Sequence, residues 1–209
     1  MGVNLAVAMG HRNAAARPVD NEHFATKLLL AAPGAVRPVG QAGARRYART
    51  VFKENTMAEA KLAANMPEWQ VQHGNRYLES GGTEGATYTV DVPGRGKITA
   101  PALLLTTTGR KSGNKIIFPL FYGTDGDSYI IVASKGGAPE HPQWYRNLLA
   151  NPDVEVQVGT KKLKARARTA TGDERARLWK KALQFWPPYA DYALKTEREI
   201  PVVVLDPIH

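Results

Sequence analysis

Polar and apolar residues alternate most regularly in the second half of the chain. Val154, Val156 and Val158 are separated by Glu155 and Gln157, and after a Gly159-Thr160 turn Leu163, Ala165 and Ala167 are separated by Lys162, Lys164, Arg166 and Arg168. A period of two sends successive side chains to opposite faces of a strand, so this stretch predicts two paired strands with one buried face. Residues 102–108 read as a buried-type strand, 109–114 as a turn and 115–122 as the partner strand of a hairpin. Asp125-Gly126 is a hairpin-turn signal that leads into a third strand over 128–133, and residues 200–205 form a last strand.

Helical spacing appears between these strands. Residues 142–150 predict a helix with Pro142 early, where its missing N–H is least harmful, and Asn151-Pro152 stops it. Thr171-Gly172-Asp173-Glu174 has the spacing of a capping box, so a second helix runs from about Gly172 to Phe185 and ends before Pro187-Pro188. Residues 57–80 predict one or two short helices around Trp69 and Tyr77, followed by a loop at Gly81-Gly82 and Gly85. Strands in meander with helices interposed, and no regular strand-helix alternation, argue for an α+β mixed sheet or small barrel.

The first 56 residues show no sustained period and carry breakers at Pro18, Pro33, Gly34, Pro38, Gly40 and Gly43. They read as a flexible extension, residues 57–209 as the folded domain, with a natural translation start at Met57 as the other reading. Of the net charge of +9, this leader supplies +5, from eight Lys or Arg against three acids. The remainder is only mildly basic, which suits a small anionic ligand as well as a polyanion. The basic residues of 162–168 share one face without interleaved aromatics, which reads as a solvated sheet face rather than a nucleic-acid surface.

The chain has 209 residues, 43% hydrophobic and 22% charged, with mean hydropathy −0.35, as expected of a water-exposed globular domain. No segment approaches the roughly 18 apolar residues of a membrane span, and no secretory signal is evident, so a cytoplasmic location is expected. The chain has no Cys, which excludes disulfides, thiolate metal sites and thiol nucleophiles. His11, His23, His73, His141 and His209 lack the spacing of a helical metal pair, and no metal is expected.

Three segments could carry chemistry. Arg110, Lys111, Ser112 and Gly113 put two cations, a hydroxyl and open backbone in one turn, suited to a phosphate or carboxylate or else an ordinary basic hairpin tip. Ser134-Lys135-Gly136-Gly137 ends a strand where paired Gly would let a flat ligand approach, or is a plain strand exit. Trp186, Tyr189 and Tyr192 recur at intervals of three and could wall a pocket for a planar acceptor or close the core under a loop. With no nucleophile-base set or carboxylate pair, the pattern points to chemistry carried by a cofactor.

These blocks, with His141-Pro-Gln-Trp-Tyr-Arg-Asn147, Asn151-Pro-Asp153 and Glu199-Ile-Pro-Val-Val-Val204, together resemble the deazaflavin-dependent nitroreductases and quinone reductases of actinobacteria, in order over about residues 97–207. The resemblance implies a split β-barrel of the flavin-reductase type that binds coenzyme F(420) in place of FMN. It maps the coenzyme's anionic tail to Arg110, Lys111, Ser112 and Gly113, with Lys115 and Trp144 beside it. The deazaflavin ring maps to Ser134, Lys135 and Gly136, and the acceptor to Trp186, Tyr189 and Tyr192. Where the family commonly has Arg, this chain has Ile116, with Lys115 one step away on the opposite strand face.

The expected function is hydride transfer from reduced F(420) to an electron-poor acceptor, a quinone or nitroaromatic, with Tyr189 first and Ser134 second as hydrogen-bond or proton donor. An FMN-dependent reductase on the same fold and a non-catalytic coenzyme-binding protein are the alternatives. A menaquinone-like lipid acceptor would bring the protein to the inner face of the plasma membrane by peripheral contact.

Overall fold

The computed structural model describes residues 59–208; the expectation of a flexible extension over 1–56 lies outside them. Nine strands are present among these residues: β1 (Lys61–Leu62), β2 (Thr87–Val92), β3 (Gly96–Thr108), β4 (Lys115–Phe121), β5 (Gly123–Asp125), β6 (Ser128–Val132), β7 (Asp153–Val158), β8 (Lys161–Thr169) and β9 (Val202–Pro207). The helices are α1 (Glu68–Glu79), α2 (Gln143–Ala150), α3 (Gly172–Phe185) and α4 (Tyr189–Ala193), with a 3-10 turn at Lys135–Gly137.

The strands form one sheet in the order β1-β4-β3-β7-β8-β9-β6-β5, with β2 paired to the outer part of β3. It curls into a split β-barrel. Leu105 of β3, Phe118 of β4, Ile131 of β6, Val156 of β7, Ala165 of β8 and Leu205 of β9 all turn inward to one shared core. Burial of this kind contributes roughly 25 cal/mol per Å² of apolar surface, and it needs every strand to be in the register that keeps its apolar set inside. On the outside, Leu178 of α3 packs on Ile130, Val202 and Val204, the reverse faces of β6 and β9.

The expected hairpin of β3 and β4 forms in the register Thr108↔Lys115 to Ala102↔Phe121. At Asp125-Gly126 the chain turns as expected, Asp125 pairing with Ser128. The continuation differs, because β6 pairs with β5 and β9 rather than lying beside β4 as in a simple meander.

Sequence patterning missed β2 and underestimated β3, which starts at Gly96 and carries 13 residues. Polar Thr87, Thr89 and Asp91 alternate there with half-buried neighbours, and Pro93-Gly94 between the strands reads as a loop until the pairing is seen. The short β1 was also unforeseen. Two residues carry no period, and it exists because β4 offers a free edge, with Lys61↔Ile116 and Leu62↔Ile117 in parallel.

Residues 68–79 form a single helix rather than two. Tyr77, fully buried, fixes it to the barrel. Its hydroxyl proton is shared between the carbonyls of Ala102 at 3.2 Å and Gln157 at 3.4 Å, and its oxygen accepts the Gly159 N–H at 2.7 Å. The anchored helix places Trp69 and Gln70 over β4, where Gln70 Nε2 donates to the Pro119 carbonyl at 2.6 Å.

Helix α3 has the expected span, but the capping box does not form. Thr171 makes no side-chain capping bond, and Glu174 instead takes the Arg168 guanidinium through contacts of 2.7 and 2.9 Å. A charge-assisted bidentate pair outcompetes a bond to a neutral backbone N–H. Arg168 also reaches Asp206 at 2.8 Å. The basic face of β8 is answered in register by acids of β7, with Glu155 opposite Lys164 and Asp153 opposite Arg166.

Candidate active site

A cavity of about 640 Å³ opens at the end of β6, between the strand exit, α2, α4 and the segment leading into α1. A volume of this size is in the range of coenzyme and small-molecule sites, roughly 300–1,000 Å³. Val132 and Ser134 supply its floor, Trp144 and Arg146 of α2 one wall, and Trp186, Tyr189 and Tyr192 the facing wall.

The floor is shaped by unusual backbone. Lys135 has φ 49°, the sole non-Gly residue with positive φ among the described residues, and Gly136 follows at 65°. A Lys in the left-handed region is strained by roughly 1–3 kcal/mol, and such strain persists only where surroundings impose it. Gly136 borders the cavity, and a Cβ added to it would meet nothing within 4 Å, so a flat group can approach the backbone there. The Lys135 ammonium pairs with Glu140 at 3.1 Å, and this contact holds the Glu140 carboxyl below its ordinary range.

The aromatic wall is continuous. Trp186 stacks on Phe121 with centroids 4.3 Å apart, Phe121 on Trp69 at 6.3 Å, and Trp69 on Tyr88 at 5.4 Å. The stack runs from buried Trp186 to half-exposed Trp69, so the cavity has an apolar aromatic rim.

Tyr189 stands edge-on to Tyr192, centroids 6.2 Å apart, and is 5% exposed. Tyr189 itself is part of the cavity wall. Burial, with a smaller push from Tyr192, raises its pKa well above the ordinary 10.0, so the phenol keeps its proton at neutral pH.

Seven of the residues singled out from sequence meet at this cavity: Ser134, Lys135, Gly136, Trp144, Trp186, Tyr189 and Tyr192. Arg110, Lys111, Ser112 and Gly113 do not line it. They form an exposed turn docked on α2, where buried Asn147 accepts the Arg110 N–H at 3.3 Å and donates to Thr107 Oγ1 at 3.0 Å. Asn147 thus ties the basic turn to the helix that carries Trp144 and Arg146. Lys115 is turned away, paired with Glu155 at 3.3 Å, while its neighbour Ile116 packs against the barrel core.

Sequence reasoning missed Arg146 and the wall made by Ala63, Met66, Trp69 and Gln70. Arg146 stood inside a quoted motif without a role, and its exposure on the cavity side of α2 is a matter of helix phase. The 63–70 wall had no local signal, since it reaches the cavity only through the edge pairing of β1 and the Tyr77 anchor.

A family model described as F(420)H(2)-dependent quinone reductase matches residues 69–207. Two proteins of Mycobacterium tuberculosis described as F(420)H(2)-dependent quinone reductases are similar. One is 46% identical over 107 residues, 51% of this chain and 90% of that protein. The other is 47% identical over 108 residues, 50% of this chain and 72% of that protein. A solved structure described as a domain-swapped dimer is 44% identical, covering 66% of this chain and 97% of its own, with a TM-score of 0.50.

Proposed function

Because this chain belongs to the F(420)H(2)-dependent quinone reductase family, we propose that it is the reductase of a quinone, taking hydride from reduced F(420) in the cavity at the end of β6. The observation that carries the reading is Tyr189, a buried phenol that keeps its proton, in the wall of a cavity that the glycine-bearing exit of β6 also borders. Deazaflavin is planar and anionic at its tail. A flat approach over Gly136 and the docked cations of Arg110 and Lys111 fit that pattern.

When bound, reduced F(420) supplies a hydride. The protein's part is to bind, orient and protonate. Ser134, Lys135, Gly136 and Trp144 would hold the ring, while Arg110, Lys111, Ser112 and Gly113, docked on α2 through Asn147, would take the tail. Trp186 and Tyr192 would hold the quinone ring in the same cavity, facing the coenzyme. A quinone that gains hydride develops negative charge on its carbonyl oxygen, and one proton completes the hydroquinone. Tyr189 donates to that oxygen and returns its proton from water, with Ser134 as the second donor in reach of the same space. Walls of Trp186, Phe121 and Trp69 keep water from the transferring hydride.

No helix among the described residues is long and apolar enough to cross a membrane. The acceptor we favour is a lipid-tailed quinone met at the membrane's inner face, since Trp69, 38% exposed, gives the cavity an apolar rim where a tail can leave.

Purified protein mixed with reduced F(420) and menadione should regenerate oxidised coenzyme fluorescence, and a tailed menaquinone in detergent should do so with a lower KM. No oxidation above the enzyme-free rate with either quinone would remove the reading.

A further inference from the structure

Pro201 leaves a gap in the sheet exactly where the cavity floor begins. The ladder between β6 and β9 ends at Val132↔Val202. One residue further, the Ala133 N–H still donates to the Pro201 carbonyl at 2.9 Å, but Pro has no N–H to return to the Ala133 carbonyl. Arg198 supplies the missing donor.

Its Nη2 donates to the Ala133 carbonyl at 3.1 Å and to the Ser134 carbonyl at 2.7 Å, and its Nε donates to the Ala138 carbonyl at 2.9 Å. Nη1 lies 3.2 Å from His141 Nδ1, which accepts in the neutral ring. One side chain therefore holds both ends of the strained 134–138 loop. Arg198 is not itself among the residues that line the cavity.

A trans peptide is planar, with N–H and C=O pointing in opposite directions. With the Ala133 and Ser134 carbonyls drawn to the guanidinium, the N–H groups of Ser134 and Lys135 point the other way. On the reading of the cavity given above, on which this step rests, we infer that Arg198 is a positioning residue that aims the Ser134 and Lys135 N–H groups at the polar edge of the bound deazaflavin ring. The positive φ of Lys135 is the backbone signature of that imposed orientation. Lys at this position has one point of attachment in place of a fork and cannot serve three carbonyls in the same way.

The comparison residue is Arg175, which donates to the Ile200 carbonyl at 3.1 Å and so tethers the same segment before β9 without touching the loop. A tail-less deazaflavin riboside, bound to the parent, Arg198→Lys and Arg175→Met proteins, separates aiming from general support. Arg198→Lys should keep the parent's circular dichroism, weaken riboside binding at least tenfold and lose most of the bound ring's absorption shift. Arg175→Met should lower the melting temperature and leave both ring readouts unchanged. In the parent, the nitrogen resonances of the Arg198 side chain should shift when the riboside is added, a readout that does not depend on any variant folding. Unchanged affinity and absorption shift in Arg198→Lys, an equal loss in Arg175→Met, or Arg198 resonances indifferent to the riboside would each overturn the assignment. A parent that binds neither riboside nor F(420) would instead refute the cavity's assignment to the coenzyme.

Discussion

Gly137 lies against Tyr192 so closely that a Cβ on the glycine would stand 2.7 Å from the Tyr192 carbonyl oxygen. The loop proposed to carry the coenzyme and the helix proposed to carry the acceptor wall therefore touch backbone to backbone. Gly137 also has φ 85°, which an L side chain rarely adopts. Gly137→Ala combines backbone strain with overpacking and should destabilise by about 1–3 kcal/mol. Thermal melts check the stability, and steady-state kinetics should show KM rising for coenzyme and quinone together, since neither element can shift alone.

Tyr189→Phe removes a hydroxyl and keeps the ring that packs beside Tyr192. Coenzyme affinity should stay near the parent's while kcat falls by roughly ten- to a thousandfold, the range for loss of a polarising donor or general acid. Stopped-flow traces with deuterium at the transferring position of the coenzyme establish whether hydride transfer limits the rate. An unchanged single-turnover rate would move the donor role to Ser134 or water.

Lys111 is exposed and has no carboxylate partner among the described residues. Lys111→Ala should weaken intact F(420) by about tenfold, less than a buried charge-assisted bond would give because solvent screens the site. The salt dependence of binding should become shallower, and a tail-less riboside should bind both proteins alike. Fluorescence titration at several salt concentrations measures all three.

His73 and His141 set an acid limit on stability. Burial is the first cause that holds each imidazole below its ordinary 6.5, offset at His73 by the bond to the Gly85 carbonyl at 2.8 Å and reinforced at His141 by Arg198 and Arg146. A depressed folded pKa means that the unfolded chain binds the proton more readily. The stability is whole above about pH 6.5 and is lost as pH falls through the folded values. Asp125, held down by Arg177 and Lys181, adds its loss only below the ordinary carboxylate range. Melting temperature against pH should be flat above 7 and slope downward below 6.5, with a smaller slope in His73→Gln.

The residues described as lining the cavity run from Ala63 to Tyr192. A chain started at Met57 should keep the melting temperature and F(420) affinity of the full protein. Calorimetry and fluorescence titration on the two lengths decide it, and a large loss of either would make the leader part of the domain.

Local sequence determined the elements whose own side chains record a period. Val154, Val156 and Val158 wrote β7, Asp125-Gly126 wrote the turn into β6, and the apolar spacing of 172–185 wrote α3. It also held the blocks that resemble the family, because Ser134, Trp144 and Tyr189 keep their place in short motifs. What the fold alone decided is which of these meet. Residues 134, 144 and 189 share one cavity because β6 lies beside β9 rather than β4, a pairing between segments about 70 residues apart that no local period encodes. The same long-range order turned Lys115 outward to Glu155, forty residues on. It also brought Arg198 to the carbonyl that Pro201 cannot serve. A side chain's partner is set by the surface that packing brings within about 3 Å of it, and that surface belongs to another part of the chain.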